Sequence, residues 1–206
     1  MPSGPYLYER QVEYWTSREI EGFFLDTGFE VLVLPISQLT EKDVPADFLF
    51  LDGRSSKLFG LQYKTLYHNN EDFWHLDQGQ YGALQAFDWM YYGLSDLKSA
   101  RQYRNALHYL RIVEGSIPYE EHLTRRHFQQ QGFPRFLRWA AFFEGVCDCK
   151  YGRRITTRED LRHALWPHSR TPPREISEIA NEIFLTDFQN RRTARFSSLL
   201  RGWEAQ

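Results

Sequence analysis

The chain has 206 residues, of which 42% are apolar and 17% aromatic, enough for one domain with a sizeable core. No apolar run approaches the roughly 20 residues that span a bilayer. The opening stretch MPSGP has neither the basic nor the apolar region of a signal peptide, and two cysteines, Cys147 and Cys149, make no disulfide framework. We therefore expect a cytoplasmic protein without a membrane anchor.

The net charge of -2 conceals an asymmetry between the two halves of the chain. Residues 1–100 hold 7 Lys/Arg against 15 Asp/Glu, whereas residues 101–206 hold 18 against 12, and 17 of those 18 are Arg. An acidic half beside an Arg-rich half suits a metal site next to a surface that grips phosphates. Two ordinary solvated surfaces would give the same counts.

The first half of the chain alternates between helical and strand patterns. Gly28 is a C-terminal stop for the first helix, and the pair Asp52-Gly53 predicts a turn that makes the second and third strands an antiparallel hairpin. In chain order, the patterns predict a helix over 8–26, strands over 29–34, 46–51 and 58–66, a helix over 78–97 and a strand over 106–113.

This order predicts an α/β fold in which helices pack on a mixed central sheet, with a core over residues 1–115. Residues 116–206 are predicted to be a mostly helical, Arg-rich extension packed on that core. Within the extension, helices are predicted over 133–143, over 159–165 and from 174 toward 203, with a break over 166–173.

Polar side chains interrupt the third predicted strand. Strand alternation places Gln62 and Lys64 on one face, and Asp47 begins the partner strand, so the hairpin allows all three to meet. Burying such groups in a sheet is costly unless they pair or hold a metal. We expect Asp47 to bind a divalent cation, with the Gln62 side-chain carbonyl and the Tyr63 backbone carbonyl adding neutral oxygens.

Phosphodiester hydrolysis requires this combination of groups. A bound Mg²⁺ polarises the phosphate and acidifies a water, while Lys64 would position that water and stabilise the developing charge. The alternative is a structural Asp47 and a lysine whose stem packs while its ammonium reaches solvent.

The segments Pro45-Ala46-Asp47 and Gln62-Tyr63-Lys64 resemble the PD-(D/E)XK signature, and the element order over residues 8–113 is similar to that family's core. The resemblance implies a restriction-endonuclease-like α-β-β-β-α-β fold. It also implies Mg²⁺- or Mn²⁺-dependent cleavage of DNA, or less often RNA, in defence or DNA processing. An inserted alanine and Gln62, which replaces the usual acid, depart from the signature. Mrr-like branches are similar in using Gln there, and the lost charge implies weaker metal binding.

The family often adds a glutamate from the first helix to its metal site. Of the candidates Glu9, Glu13, Glu19 and Glu21, Glu13 shares the inward face of Ile20 and is favoured, with Glu19 second. A solvated helix charge is the alternative for each of them.

Arginines in the second half are the candidates for phosphate contact. Aromatic residues stand among them, and arginine forks with aromatic rings suit an unpaired nucleic-acid strand, although aromatics at helical spacing also build cores. The predicted nucleic-acid-binding residues are Arg125, Arg126, Arg135, Arg138, Arg153 and Arg154.

Three weaker patterns concern zinc, helix glutamines and a loop. Zinc ligation by Cys147, Cys149, His163 and His168 is an alternative to two unbridged thiols, and the Cys-x-Cys spacing is unusual for it. Gln80 and Gln85 are candidates to assist at the phosphate or the metal, and the alternative is that they are exposed helix residues. Residues 68–75 are predicted to form a loop over the site, with His68 and His75 as acid or base candidates.

The residues and the resemblance thus predict a metal-dependent endonuclease, with DNA favoured as its substrate and RNA as the alternative, and a homodimer or a partner subunit fits the cutting of both strands. One alternative is a catalytically inactive member of the same fold that serves as a nucleic-acid- or protein-binding subunit. Another is an interaction protein with an exposed aromatic surface.

Overall fold

The computed structural model describes residues 4–28, 31–36, 44–52 and 57–167, together with 174, 176–178, 180 and 181. The chain forms two compact units, Met1–Arg154 and Ile155–Gln206. No helix within the described part of the chain is both long and apolar enough to cross a membrane.

The first unit contains nearly all of the described secondary structure. Its strands are β1 (Gly4–Pro5), β2 (Val31–Pro35), β3 (Phe48–Asp52), β4 (Lys57–Lys64), β5 (Leu66–Asn69), β6 (Glu71–His75), β7 (Met90–Ser95), β8 (Leu110–Glu114), β9 (His122–Leu123), β10 (Leu137–Arg138) and β11 (Arg153–Arg154). Its α-helices are α1 (Glu9–Asp26), α2 (Gln78–Leu84), α3 (Ala106–Tyr109) and α4 (Trp139–Cys147), with 3₁₀ segments at Ala100–Asn105 and His127–Gln129. In the second unit, the described helix is α5 (Arg158–Leu165).

A mixed sheet forms the centre of the first unit. Its strands lie in the order β10-β8-β7-β4-β3-β2, and β11 pairs with the first residues of β4. β4 runs antiparallel to β3 and parallel to β7, which makes the sheet mixed. The prediction of an α/β fold with helices and a mixed central sheet is confirmed at this level, and so is the antiparallel pairing of the second and third predicted strands.

Every residue of β4 is buried, because both faces of the strand are covered. On one face, Phe59, Leu61 and Tyr63 join a core cluster with residues of α1 and α4. The opposite face carries the polar residues Gln62 and Lys64, as strand alternation predicts. β4 therefore packs α1 against one face, while its polar residues start from the other face and meet α1 at the carboxyl end of the strand, where Lys64 pairs with Glu9.

The predicted helix over residues 78–97 is wrong beyond its first two turns. α2 ends at Leu84, and Met90–Ser95 is a strand instead of helix. All six residues of β7 are buried, so the segment is a continuous apolar run without the alternation of a half-exposed strand. A buried helix can have the same apolar composition, so composition alone does not distinguish the two.

The strand predicted over 106–113 begins late. Residues Ala106–Tyr109 form the short helix α3, and the strand that follows is Leu110–Glu114, antiparallel to β7. The helix predicted over 133–143 also begins late, at Trp139, because Leu137 and Arg138 pair with β8 as β10. Pro134 also disfavours helical geometry at the residue before it.

The tract predicted as a loop over the site is a hairpin. Strands β5 and β6 pair antiparallel within a second sheet, in the order β1-β5-β6-β9. The turn between them is at Asn70, whose φ of 63° lies in the left-handed region that asparagine tolerates. A single residue, Thr65, separates the end of β4 from the start of β5, so the main chain passes directly from the central sheet into the hairpin.

The predicted boundary at residues 115/116 differs from the division between the compact units, which follows Arg154. Three short strands after residue 115 account for the difference, because β9 pairs with β6, β10 with β8 and β11 with β4. The Arg-rich helical extension over 116–206 stays a prediction, and most of the helix predicted from residue 174 lies outside the described residues.

Candidate metal centre

The candidate site lies at the carboxyl end of β4. Asp47 immediately precedes β3, and its backbone N–H donates a 3.0 Å hydrogen bond to the carbonyl of Leu61. The hairpin pairing of β3 and β4 therefore continues to Asp47 and brings its side chain to the end of β4 that carries Gln62 and Lys64.

The Asp47 carboxylate is held by two donors from β4. Its Oδ2 accepts a 2.6 Å hydrogen bond from the backbone N–H of Tyr63 and a 2.9 Å hydrogen bond from Nε2 of Gln62. Burial is the main cause that raises the pKa of Asp47 well above its ordinary value of 3.8, and the negative charge of Glu13 adds to it. The Tyr63 hydrogen bond and the charge of Lys64 oppose this rise.

Helix α1 supplies the other carboxylates. Oγ of Ser17 lies 3.0 Å from the hydroxyl of buried Tyr63, which fixes this helix face over β4. Glu13 and Glu9 lie one and two helical turns before Ser17 on the same face. As a result, one carboxylate oxygen each of Glu9, Glu13 and Asp47 lie within 4.8 Å of one another.

Lys64 completes the charged set. Its Nζ lies 3.2 Å from Oε1 of Glu9, and the lysine is 8% exposed. Burying an ammonium is costly unless an opposite charge lies beside it, and Glu9 supplies that charge here. The pair therefore holds the ammonium of Lys64 beside the carboxylates.

Gln62 is the least satisfied polar residue of the site. It is 1% exposed, and while its Nε2 donates to Asp47, its Oε1 is buried without a hydrogen-bond partner among the described residues. A buried carbonyl left unpaired costs about 1–3 kcal/mol. Three carboxylates and an unpaired amide oxygen form the hard oxygen set that Mg²⁺ and Mn²⁺ take, so the residues fit such an ion.

The predicted site residues are brought together only in part. Asp47, Gln62, Lys64 and Glu13 meet, whereas Oε2 of Glu19 accepts a hydrogen bond from the backbone N–H of Leu107 and does not belong to the carboxylate group. At Tyr63, the observed contact with Asp47 is through the backbone N–H, and the ligand role of the Tyr63 carbonyl stays a prediction.

Glu9 is the residue that the sequence prediction passed over. It was one of four candidate glutamates, but Glu13 and Glu19 were preferred to it. Its spacing of four residues from Glu13 was the signal, because i and i+4 residues share a helix face.

The predicted nucleic-acid-binding arginines lie at different ends of the central sheet. Arg125 pairs with Asp96 after β7, and Arg138 lies in β10. Arg153 and Arg154 pair with the first residues of β4, at the opposite end from Lys64. Of the others, Arg126 lies 3.8 Å from Glu71 and Arg135 is exposed. Their contact with nucleic acid stays a prediction.

The residues of the weaker patterns have local partners. Nδ1 of His68 lies 2.9 Å from Asp72, and Nε2 of His75 lies 3.8 Å from Glu121. Gln85 donates a 2.6 Å hydrogen bond to the carbonyl of Gly115, and Asp77 caps α2 at the backbone N–H of Gln80. Of the proposed zinc ligands, Cys147 and Cys149 are exposed, His163 lies 3.0 Å from Glu159, and His168 lies outside the described residues.

No protein-family model, curated protein or solved structure matches the chain. The resemblance to the PD-(D/E)XK family therefore rests on the residues and the geometry of this chain alone.

Proposed function

We propose that the protein is a Mg²⁺- or Mn²⁺-dependent nuclease that hydrolyses phosphodiester bonds, as an endonuclease acting on DNA. The observation that carries the proposal is the gathering of Glu9, Glu13 and Asp47 oxygens within 4.8 Å, beside the ammonium of Lys64. A cytoplasmic location and a role in defence or DNA processing belong to the same proposal.

The order of elements supports this assignment. A long helix, α1, precedes the antiparallel strands β2, β3 and β4; after the β5–β6 hairpin of the second sheet, the chain passes through α2 to β7, which is parallel to β4. With that inserted hairpin set aside, the α-β-β-β-α-β order is similar to the restriction-endonuclease-like core, with β7 as the last strand in place of the one predicted over 106–113.

Each residue has a defined part in the proposed reaction. Asp47, Glu13 and the unpaired Oε1 of Gln62 would hold the ion, which when bound polarises the phosphate and acidifies water. Lys64 donates hydrogen bonds to a non-bridging phosphate oxygen and stabilises the charge that develops there. Glu9 positions the Lys64 ammonium by their ion pair.

The bond changes in this hydrolysis are simple. A water oxygen forms the new bond to phosphorus, and one ester P–O bond breaks. The water loses a proton to solvent, and the departing oxygen gains one from solvent. Positioning and electrostatic stabilisation are therefore what the protein must supply.

A second candidate is a catalytically inactive member of the same fold that binds nucleic acid or protein. The observation in its favour is that the amide of Gln62 donates to Asp47 and the ammonium of Lys64 pairs with Glu9, so much of the polar set is paired internally. An inactive protein would retain these contacts without binding an ion.

Cleavage assays with a matched control on α1 test the proposal. The protein is incubated with plasmid, single-stranded DNA and structured RNA, with Mn²⁺ or with chelator, alongside Asp47→Ala and Lys64→Ala. The control is Glu21→Gln, because Glu21 is an exposed glutamate of the same helix. We expect Mn²⁺-dependent cleavage that both alanine variants lose and the control keeps. Cleavage that survives both substitutions, or no cleavage of any substrate, would contradict the nuclease assignment.

A further inference from the structure

A row of residues crosses the central sheet at the level of Lys64. Lys64 of β4 is in register with Leu94 of β7, Leu94 with Arg111 of β8, and Arg111 with Arg138 of β10. Residues in register on neighbouring strands share a face of the sheet. With strands about 4.8 Å apart, Arg111 lies roughly 10 Å and Arg138 roughly 15 Å from Lys64 along this row.

Asp96 brings a third arginine to the same edge. It directly follows β7, is 4% exposed, and pairs through Oδ2 with Nη2 of Arg111 at 3.0 Å. Its Oδ1 pairs with Nη2 of Arg125 at 2.9 Å. One buried carboxylate therefore joins Arg111 and Arg125, and the register adds Arg138 beside Arg111. We call these three residues the arginine cluster.

The cluster carries more positive charge than Asp96 can neutralise. Burial is the main cause that lowers the pKa of Arg111; Asp96 raises it, and the charges of Arg138 and Arg125 lower it again. The guanidinium groups of Arg125 and Arg138 are thus each close enough to that of Arg111 to disfavour its positive charge. With Asp96 as its counter-charge, the cluster has an excess of about two positive charges, which favours a bound anion.

The three arginines differ in what they present to solvent. Nη1 of Arg111 donates to the carbonyls of His108 and Leu110 at 2.8 and 3.0 Å, so this residue is committed to the fold. The side chain of Arg125 is 57% exposed. Arg138 is also exposed, and no ion pair or hydrogen bond joins its side chain to a described residue. Arg125 and Arg138 therefore offer the donors.

We propose that the arginine cluster binds the phosphodiester backbone of the nucleic-acid strand whose scissile phosphate lies at the Asp47 site. This inference rests on the proposed nuclease function. The roughly 10 Å between Lys64 and Arg111 is short enough for one strand to reach both with phosphates that lie near each other along its backbone. Leu94, between the two in the row, is fully buried, so the strand would run outside the carboxyl edge of β4 and β7, from the metal centre toward β10, with Arg111 as the base of the cluster.

The same placement excludes two of the predicted arginines from this path. Arg153 and Arg154 pair with Leu58 and Lys57. These positions are six and seven residues before Lys64, or about 20–23 Å away at roughly 3.3 Å per residue. Arg153 and Arg154 therefore supply a matched control of equal charge at the other end of the same strand.

Binding without metal separates this inference from the nuclease assignment. We would measure the fluorescence anisotropy of a short labelled single-stranded DNA in chelator, over a series of salt concentrations. The variants are Arg125→Gln/Arg138→Gln, Arg138→Gln alone, and Arg153→Gln/Arg154→Gln. The single variant removes no ion pair with a described residue, so a loss of binding there is not a folding defect, and thermal unfolding checks all three proteins.

We expect the cluster double variant to bind at least about tenfold more weakly and to lower the slope of log K against log salt by about 1.4, or about 0.7 for each phosphate contact. Arg138→Gln should give about half of the slope change, and the Arg153/Arg154 control should change neither quantity. Equal losses in cluster and control variants, or no binding by the unaltered protein, would overturn the inference. Cluster-dependent binding without cleavage would support phosphate binding by the arginine cluster but remove the nuclease assignment, and with it the scissile phosphate at the Asp47 site.

Discussion

Strand β4 carries a buried lysine at each end, and the two ends differ in what surrounds the ammonium. Lys57 is 5% exposed, and its Nζ lies 3.5 Å from the carbonyl oxygen of Gly152. Lys64 is 8% exposed and pairs with Glu9. Across the described residues, a group of three carboxylates occurs only at the Lys64 end. A buried strand lysine is therefore no sign of a catalytic site by itself, and what distinguishes Lys64 is the group of carboxylates that the proposed nuclease site requires.

Charge is also arranged differently at the two ends. Near the start of β4 lies a cleft of about 530 Å³ whose lining mixes the acids Asp88 and Glu114 with the bases Lys150 and Arg153. At the other end, the acids gather at Asp47 and the arginines gather around Asp96. Separate acidic and basic groups are what a cation and a phosphate together require, so we assign the chemistry to the Lys64 end.

Exchanging each lysine gives the largest expected contrast between the two ends. Lys64→Ala removes the group that stabilises charge on the phosphate, so we expect the cleavage rate to fall about 10²–10³-fold, as for the loss of one charge-stabilising donor. Lys57→Met keeps the length of the side chain at the other end and should leave the rate unchanged. Initial rates of plasmid cleavage in Mn²⁺ measure both.

A folding check completes this comparison. Both variants should still unfold cooperatively, Lys64→Ala at a lower temperature, because this change leaves Glu9 beside two other carboxylates without its counter-charge. Equal loss of activity in the two folded variants would abolish the distinction between the ends, and the assignment of chemistry to Lys64 with it.

The sequence was sufficient to predict which polar residues meet at the carboxyl end of β4, but it was insufficient to predict the neighbouring strand β7. Alternation on a single strand placed Gln62 and Lys64 together, and the turn signal brought Asp47 to them, because both patterns are local. The same reasoning failed for β7, whose six buried residues have no alternation to distinguish a strand from a helix.

Contacts between distant segments were the other limit. Glu9 reaches the site because Ser17 docks α1 on Tyr63, a contact across 46 positions of the chain. Arg111 was not considered at all, because its place in line with Lys64 depends on the register of β7 with β8. A single sequence carries no direct record of either contact, so the helix face and the row of arginines required the fold.

Metal binding should stabilise the protein through the Lys64 end alone. An ion that binds only the folded state at about 100 times its Kd adds about 2.7 kcal/mol, which raises Tm by several degrees for a domain of this size. Asp47→Asn should abolish the rise, because a neutral amide is a poor replacement for the anchoring carboxylate. Lys57→Met should keep it. Thermal unfolding with Mn²⁺ and with chelator measures the shift, and an undiminished shift in Asp47→Asn would remove Asp47 from the metal site.

The smallest expected effect is on how the free energy of unfolding depends on pH in the absence of metal, through Asp47 at the Lys64 end. Because the pKa of folded Asp47 lies well above its ordinary value of 3.8, the folded protein binds more protons than the unfolded chain between those two values. The proton bound by folded Asp47 therefore stabilises the folded state. This stabilisation is fully present below about pH 3.8 and is lost as pH rises through the folded pKa, at about 1.4 kcal/mol for each pH unit between the two pKa values. Asp47→Asn has no such proton and still accepts the Tyr63 hydrogen bond.

In chelator, the Tm of Asp47→Asn should therefore rise relative to that of the unaltered protein as pH increases from about 4 toward neutrality. The carboxyls whose pKa values are lowered to about 2, Asp72 and Asp160, act in the opposite sense at low pH. They are present in both proteins, so their contributions cancel in the difference. Lys57→Met, which changes the other end of β4, should follow the pH profile of the unaltered protein. If the Tm difference between Asp47→Asn and the unaltered protein stays constant across this range, Asp47 is ionised in the absence of metal. Burial would then not raise the pKa of Asp47.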